Sequence, residues 1–371
     1  MIKVVTVKNF KSLRGIRIRL APLTILAGLN GSGKSSLLQS LLLLRQSVRN
    51  GKCAGLVLKD DHGVSLGTGK DVLYQFAGRD EYIEFSIRDD SDREVTWKFR
   101  YERDNDLLPL ISETAQKSED WQELDCGLFT DSFQYIHAEH FPLTDRFPRS
   151  ESRIRAGNIG SRGEFAAHYL AEYGISRKLA VPALRHPAAR SSSLLHQVDA
   201  WMTEISPGIR LVAEDVARLD QVRLAYMFAT DTGYTNEISP LNTGFGISYA
   251  LPVLLAVLKA RQGDTVLIEN PESHLHPRGQ AVIGQLLAKA ASTGIQCIVE
   301  THSDHLVNGT RVAVKQGIPP SVAGIFYFER VLDGTDQYSR ITEISLDKNG
   351  ELSSYPKGFL DEWNEQLMQL L

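Results

Sequence analysis

The chain has 371 residues, 42% of them hydrophobic and 23% charged, a globular profile that excludes disordered, collagen-like and fibrous classes. Forty-one Lys+Arg against forty-five Asp+Glu give a net charge of −4, so no global positive field draws the chain onto nucleic acid and any DNA contact must come from a local patch. Cys53, Cys126 and Cys297 are odd in number and lack C-x-x-C spacing, which excludes a disulfide framework and a Cys-based zinc site and fits a reducing cytosol. The longest apolar stretches, around Leu37–Leu44 and Ala250–Leu258, are about half of the ~20 residues a spanning helix needs. The opening residues read as a strand, not a secretory leader. The expectation is a soluble, cytoplasmic protein with no membrane partner, built as two domains or as one large α/β domain with insertions.

In chain order, Ile2–Val7, Gly15–Leu20 and Leu23–Ala27 read as three short strands, followed by a glycine-rich turn and a leucine-faced helix from Lys34 to Val48. Residues 80–101 predict an antiparallel hairpin. Ile83, Phe85 and Ile87 alternate on one arm, Val95, Trp97 and Phe99 on the other, and Asp89–Asp92 form the turn. Asp104–Ser132 reads as a polar, irregular insertion. Phe133–Ile136 is a short strand, Phe141–Arg162 a Pro/Arg/Gly-rich loop, and Glu164–Glu172 and Ser193–Glu204 are helices joined through Pro182–Arg190. Arg210–Ala229 suggests two strands and Tyr249–Ala260 a buried helix. Thr265–Ile268 and Gln296–Val299 flank the amphipathic stretch Arg278–Ala291, a parallel βαβ unit. No internal repeat or low-complexity run occurs.

Gly28-Leu29-Asn30-Gly31-Ser32-Gly33-Lys34-Ser35 fits G-x-x-x-x-G-K-[ST] at every fixed position, after an apolar strand and at the head of a helix. Backbone N–H groups from Asn30 to Ser36 can ring phosphates there, and the helix N-terminus adds a favourable dipole. Lys34 would reach the β- and γ-phosphates and Ser35 would ligate Mg²⁺. The ligands implied are ATP and Mg²⁺. A buried strand ending in an acid, Thr265–Ile268 then Glu269, is what holds Mg²⁺ in P-loop enzymes; the plain alternative is a surface Glu after a core strand. One strand later, His302 follows Glu300 and Thr301, in reach of a γ-phosphate on the same sheet edge. Leu241–Ser248, containing Gly244, Gly246 and Ser248, is a Gly/Ser turn before the helix that begins near Tyr249.

Together these elements resemble the ABC-type ATPase heads of the SMC, RecF and OLD families, within the AAA-like group of bacterial P-loop ATPases. The opening Asn9-Phe10-Lys11-Ser12-Leu13, the order of phosphate loop, Gly/Ser turn and acidic strand, and the runs Pro271–Pro277 and Thr301-His302-Ser303 carry the resemblance. Phe326–Arg330 and Tyr355–Asp361 look like a small C-terminal domain of unknown function found in one subgroup. The resemblance implies an α/β P-loop NTPase fold: a mixed sheet, an antiparallel β subdomain and a helical signature subdomain. It implies a head over residues 1–325, divided into an N-terminal lobe (1–103), an insertion and helical lobe (104–240) and a signature and Walker B lobe (241–325). Residues 326–371 form the C-terminal domain.

By the same resemblance, Gly244, Gly246 and Ser248 contact the γ-phosphate bound to the opposite subunit. Glu269 is the Walker B acid, Ser273–His276 the D-loop and His302 the switch histidine. Most such heads carry Asp-Glu where this chain has Glu269-Asn270. An amide orients a water but cannot take its proton, so Glu272 and Glu300 are the substitute candidates beside Asn270. Gln75 is the candidate Q-loop glutamine. The implied activity is ATP hydrolysis by a homodimer or higher oligomer whose heads sandwich ATP and gate DNA or a separately encoded nuclease or toxin effector, in anti-phage defence or DNA repair. The alternative is a nucleotide sensor or clamp with little hydrolysis that recruits such an effector.

Other readings of the same residues are weaker. His274, His276, His302 and His305 have zinc-like spacings, but no Cys completes a ligand set. Arg146, Arg149, Arg153, Arg155 and Arg162 crowd one loop, either as a solvated segment paired to Asp145 and Glu151 or as a phosphate-contacting patch, for nucleotide or for DNA backbone. A nuclease within the chain is rejected, because the roughly 70 residues after the ATPase motifs hold no repeated acidic cluster. No segment sustains the heptads of a long coiled coil.

Overall fold

The computed structural model describes residues 1–371 except 50–51, 61–62, 80, 117–123, 125, 217–218 and 371. The backbone gathers into two units: Met1–Thr130 with Gly324–Ser345 and Leu352–Leu371, and Asp131–Ala323 with Leu346–Glu351. Elements are numbered along the chain.

The first unit opens with β1 (Ile2–Phe10), β2 (Leu13–Arg19), β3 (Leu23–Gly28) and α1 (Lys34–Ser47), then β4 (Gly55–Val57), β5 (Tyr82–Asp89), β6 (Glu94–Arg100) and β7 (Leu107–Gln116). Six of these strands make one sheet in the order β2-β1-β5-β6-β7-β4. The period-2 alternation sets its faces. Val5, Val7, Phe85, Ile87, Trp97 and Phe99 are buried, and the Phe10 and Phe85 rings meet edge to face at 5.3 Å. Full burial of side chains this size is worth about 1.5–3 kcal/mol each. The opposite face is mixed and carries the arginines: Arg19 and Arg88 flank Val4 across three strands, and Arg17, Thr6 and Ser86 lie side by side in the same way.

Strand β7 corrects an expectation. The irregular insertion proposed for Asp104–Ser132 contains a ten-residue strand paired to both β6 and β4. Leu108 is fully buried, whereas Leu107 and Ile111 are about half exposed, so the strand is held by ladder hydrogen bonds that leave no hydrophobic alternation to read. Residues 117–123 and 125 of that stretch lie outside the described residues.

The second unit contains β8 (Gln134–Ile136), β9 (Arg146–Pro148), α2 (Glu151–Arg155), α3 (Ala166–Tyr173), α4 (Leu194–Ile205), β10 (Ile209–Val216), β11 (Gln221–Thr230), α5 (Phe245–Lys259), β12 (Thr265–Glu269), α6 (Pro277–Ala291), β13 (Gln296–Glu300) and α7 (Asp304–Lys315). Strands β8, β12 and β13 run parallel, with Gln134 opposite Val266 and Glu269 opposite Glu300. The expected βαβ unit is present, and all five residues of β12 and of β13 are buried. Strands β9, β11 and β10 form a separate antiparallel sheet. The stretch expected to be one loop, Phe141–Arg162, therefore holds strand β9 and helix α2; only Phe147 and Ile154 in those elements are buried, too few for periodicity. Helix α5 begins at Phe245 with Gly244 as N-cap, four residues before the expected start near Tyr249, because Gly246 and Ser248 are accommodated in its first turn.

The chain returns to the first unit with β14 (Ala323–Asp333) and β15 (Asp336–Ile344), an antiparallel pair from Ile325 opposite Ile344 to Asp333 opposite Asp336. Strand β14 lies beside β3. The last element is α8 (Glu362–Leu370). Among the described residues, no helix is long and apolar enough to cross a membrane.

Candidate nucleotide site

The phosphate loop leaves β3 at Gly28 and enters α1 at Lys34. Gly28, Gly31 and Gly33 all have positive φ (137°, 72° and 105°). Gly28 is required twice over: a Cβ there would sit 2.2 Å from the Phe328 carbonyl oxygen of β14, and its φ strains any L side chain. Lys34 is 3% exposed, and its ammonium donates to the Gly28 and Leu29 carbonyls at 2.9 Å each. These contacts curl the loop over the lysine. From the far side, the Ser339 hydroxyl of β15 donates to the Ser32 carbonyl at 2.6 Å and lies 2.7 Å from the Ser12 hydroxyl. Among the described residues, the buried Ser32 hydroxyl has no hydrogen-bond partner. A buried polar group of that kind is costly unless something completes it, and a bound phosphate oxygen would. Ser36 is buried in the first turn of α1, and the Arg330 side chain comes within 3.7 Å of a Cβ built on Gly31.

The acidic strand end belongs to the second unit. Glu269 closes β12 and is 7% exposed. Tyr135 donates to its Oε1 at 3.0 Å and the Ala138 N–H donates to Oε2 at 3.2 Å, while His137 Nε2 stands 3.8 Å from Oε2. Burial, reinforced by the facing carboxylate, holds the Tyr135 phenol protonated far above its ordinary range. The carboxylate is thus oriented by donors that will not ionise. Asn270 follows with φ 45°; its N–H donates to the Glu300 carbonyl at 2.8 Å, and its buried side-chain oxygen has no partner among the described residues. Glu272 Oε1 accepts from the His302 N–H at 2.7 Å, so this carboxylate fixes the turn that carries His302. Ser303 caps α7 by accepting from the Leu306 N–H at 2.9 Å.

The Gly/Ser turn and the segment after Glu272 meet in the same unit. A Cβ on Gly246 would lie 2.4 Å from the His274 carbonyl oxygen, so only glycine lets the first turn of α5 approach there. His274, at φ 62°, packs against Phe245 and Tyr249 with ring centroids 5.6 and 4.7 Å apart. On the far side of Tyr249, His140 stacks at 4.5 Å. Burial, with His137 and His274 nearby, pushes the His140 imidazole down to about 4. Ser248 Oγ lies 3.1 Å from the Tyr226 hydroxyl, and Phe245 is 53% exposed. The N-terminus of α5 thus presents backbone N–H groups beside an exposed aromatic ring.

Comparison with known proteins places this geometry. The family described as "AAA domain, putative AbiEii toxin, Type IV TA system" matches residues 23–308, a span that includes both the phosphate loop and the Glu269 strand. The chain belongs to that family. A second family, a protein of unknown function designated DUF3696, matches residues 318–370. The fold is similar to an SMC head solved bound to the C-winged helix domain of ScpA, at 16% identity and TM-score 0.53, with 94% of this chain and 98% of that chain covered. It is also similar to an Smc head domain with an extended coiled coil, bound to the C-terminal domain of ScpA derived from Pyrococcus furiosus, at 15% identity and TM-score 0.52, covering 100% of this chain and 99% of that one. The fold is that of a P-loop NTPase with an ABC-type head. No curated protein matches the chain.

Within this AAA family member, Asn30–Ser36 all lie on the loop and first turn of the first unit, whereas Gly244, Gly246, Ser248, Glu269, Asn270, Glu272 and His302 lie in the second. Several supporting residues escaped the sequence reading. Tyr135, His137 and Ala138 surround Glu269, although Phe133–Ile136 was legible as a strand; what could have marked them is that a short apolar strand running into His137 resembles Thr265–Glu269 in form. Ser339 had no signal at all. Of the histidines with zinc-like spacing, His276 caps α6 by accepting from the Arg278 N–H at 3.3 Å, and among the described residues no group of three or more His, Cys, Asp or Glu is arranged to hold a metal ion. In the arginine loop, Arg155 pairs with Glu151 at 2.7 Å, Arg162 with Glu139 at 2.9 Å and Arg149 with Asp215 at 3.1 Å.

Proposed function

We propose that the chain is an ATP-binding and hydrolysing ABC-type head that dimerises around ATP and gates a partner effector or DNA. The observation that carries it is the phosphate loop, with a buried Lys34 curled under two of its carbonyls and a buried Ser32 hydroxyl that has no partner among the described residues. Lys34 and the loop N–H groups from Asn30 to Ser36 take the phosphates. Ser35 on the first unit and Glu269 on the second are the residues that would hold Mg²⁺, Glu269 being held in orientation by Tyr135 and Ala138. His302 reads the γ-phosphate, and Gly244, Gly246 and Ser248 complete the site of a second copy. The family's description as a putative AbiEii toxin of a type IV TA system ties this head to a toxin system, and an SMC head solved bound to ScpA supports a separate protein partner; a nuclease or toxin as that partner, acting in defence or DNA repair, is part of the proposal. Residues 326–371 are proposed as the small C-terminal domain of this head.

One observation favours the second reading, a nucleotide sensor with little hydrolysis. Asn270 stands where the water-activating acid would be and cannot accept a proton. Calorimetric ATP titration together with steady-state phosphate release, with and without Mg²⁺, tests both readings. Binding with measurable release supports the ATPase, binding with no release the sensor, and absence of binding refutes both.

A further inference from the structure

The unit that carries the phosphate loop also has a groove of about 550 Å³ along β2 and β15. Five arginines line it, Arg14, Arg17, Arg19, Arg88 and Arg340, against one acid, Glu343. In a chain of net charge −4 this is a concentrated local reversal of sign. Strand register accounts for it. Val4 has Arg19 opposite on β2 and Arg88 opposite on β5, and residues directly opposite across antiparallel strands share a face. Arg17, two residues from Arg19, falls on that same face. The sheet that buries Val5, Val7, Phe85 and Ile87 on one side therefore turns its arginines outward on the other.

Four of these cations have an acid within 4.0 Å, in pairs that stand largely in solvent. Arg14, Arg17 and Arg340 each meet an acid, Asp336, Glu94 and Glu329, at 3.0, 3.3 and 2.7 Å, but all three guanidinium groups are half exposed or more and such surface pairs exchange readily for a better anion. Among the described residues, Arg88 meets one acid, Asp92, at 4.0 Å, and its Nε is buried without a hydrogen-bond partner. Arg19 has no acidic partner among the described residues. Arg14 also stacks on the Tyr338 ring at 3.9 Å, and Tyr338 lines the groove among the cations. A single phosphate would use one or two guanidinium forks. Five along one groove, with an aromatic ring between them, match a ligand that repeats its phosphates and carries bases.

We propose that this groove binds the sugar–phosphate backbone of a nucleic acid. It names the surface for the DNA half of the function proposed above and rests on that half alone, since the groove needs no nucleotide hydrolysis. It lies in a different unit from the Arg146–Arg162 loop. Ser339 lines the groove and also holds the Ser32 carbonyl, so an occupied groove abuts the phosphate loop.

The test uses the full chain without ATP, with fluorescence anisotropy of a labelled 20-nucleotide single strand and a 20-base-pair duplex over rising salt. If all five arginines meet phosphates, log Kd should change with log salt with a slope of magnitude about 3.5 for the single strand and about 4.5 for the duplex. The double substitution Arg19→Glu with Arg88→Glu should weaken binding at least ~30-fold and flatten the slope by about two contacts. Arg19→Lys with Arg88→Lys should stay within a few-fold of the natural protein, and circular dichroism of both variants checks that they fold. Arg146→Glu with Arg153→Glu should bind as the natural protein does. The proposal is overturned if neither oligonucleotide binds at low salt, if inorganic polyphosphate binds in their stead, or if the Arg146/Arg153 variant loses binding while the Arg19/Arg88 variant keeps it. ATP titration of the same samples keeps the two ideas apart: oligonucleotide binding without ATP binding refutes the nucleotide site and leaves the groove standing.

Discussion

Tyr135 Oη and Glu269 Oε1 are 3.0 Å apart, a phenol in one parallel strand donating to the carboxylate at the end of its neighbour. With the Ala138 N–H on the other oxygen, each oxygen of Glu269 accepts one orienting hydrogen bond and keeps a lone pair for a cation. Tyr135→Phe removes the stronger of these donors. A hydrogen bond to a charged group is worth about 1.5–3 kcal/mol, so Mg²⁺-dependent phosphate release should fall by roughly tenfold or more, while ATP affinity measured without Mg²⁺ stays within twofold. An unchanged rate would show that Glu269 needs no orientation from Tyr135.

Lys34→Ala should weaken ATP affinity at least tenfold in calorimetry, because charge-assisted contacts to the β- and γ-phosphates are lost. The cost reaches the empty loop as well. Without the ammonium, the Gly28 and Leu29 carbonyls lose their donor, and thermal unfolding in the absence of nucleotide should begin at lower temperature. Lys34→Arg keeps the charge but not the size of the cavity under the loop, and should bind ATP poorly too. Wild-type affinity in either variant would remove the loop from the site.

Asn270 owes its side chain partly to the backbone. Its φ of 45° lies in the left-handed region, where most L residues pay roughly 1–2 kcal/mol and asparagine is tolerated. Asn270→Glu should therefore lower stability by about 1 kcal/mol in urea unfolding, yet raise ATP turnover. Hydrolysis by the natural protein should be slow, since general-base assistance is typically worth ~10²–10⁴-fold and phosphoryl transfer can proceed by positioning and electrostatics without it. Glu272→Gln preserves an acceptor for the His302 N–H and should change turnover little; Glu272→Ala should impair it by freeing that turn. Glu300→Gln serves as the companion measurement. Fast natural turnover, unaffected by either Gln variant, would put water activation elsewhere.

Much of this was legible from the residues because the phosphate loop is local. Eight consecutive positions specify the strand end, the turn and the helix start, and the strong apolar runs of β3, β12 and β13 left no ambiguity of type. What escaped depends on partners far along the chain. Leu107–Gln116 is a strand because β6 and β4 accept it, not because its own side chains alternate. Tyr135 matters because β8 runs parallel to β12, a pairing no spacing reveals. The start of α5 was set four residues late because glycine and serine read as turn formers, whereas Gly246 is glycine for closeness to the His274 carbonyl.

Ser248→Arg should abolish an ATP-induced dimer while leaving ATP binding by the monomer intact. Ser248 sits in the first turn of α5, 3.1 Å from the Tyr226 hydroxyl. In a two-fold sandwich one substitution removes both shared contacts. Light scattering with and without ATP gives the answer; a dimer indifferent to nucleotide and to this change counts against head-to-head assembly.

His140 supplies a pH signature. Its folded value lies near 4 against 6.5 for a free imidazole, so between those values the unfolded chain binds a proton that the folded chain refuses. Stability contributed by the neutral ring is complete above about pH 6.5 and is lost as pH falls toward 4, by up to about 3 kcal/mol. His168 and His186 are also pushed down, mainly by burial, and add in the same direction. His140→Phe keeps a flat ring against Tyr249 and should flatten part of this acid limb. Urea midpoints at pH 4.5, 5.5 and 7 for both proteins measure it; parallel curves would mean that His140 carries its proton in the folded state.

The hydrogen bond from Ser339 to the Ser32 carbonyl spans 307 residues of sequence. A ribosome adding roughly 5–20 residues each second needs on the order of 15–60 seconds between making the phosphate loop and making the serine that steadies it. Strand β14, whose Phe328 carbonyl walls the loop at Gly28, emerges equally late. For that interval the nascent chain holds the phosphate-loop sequence without its backing, so the loop takes its final shape only once β14 and β15 have been made. A chain interrupted before residue 323 would carry every motif of an ATPase and lack the wall and the clasp that shape its loop.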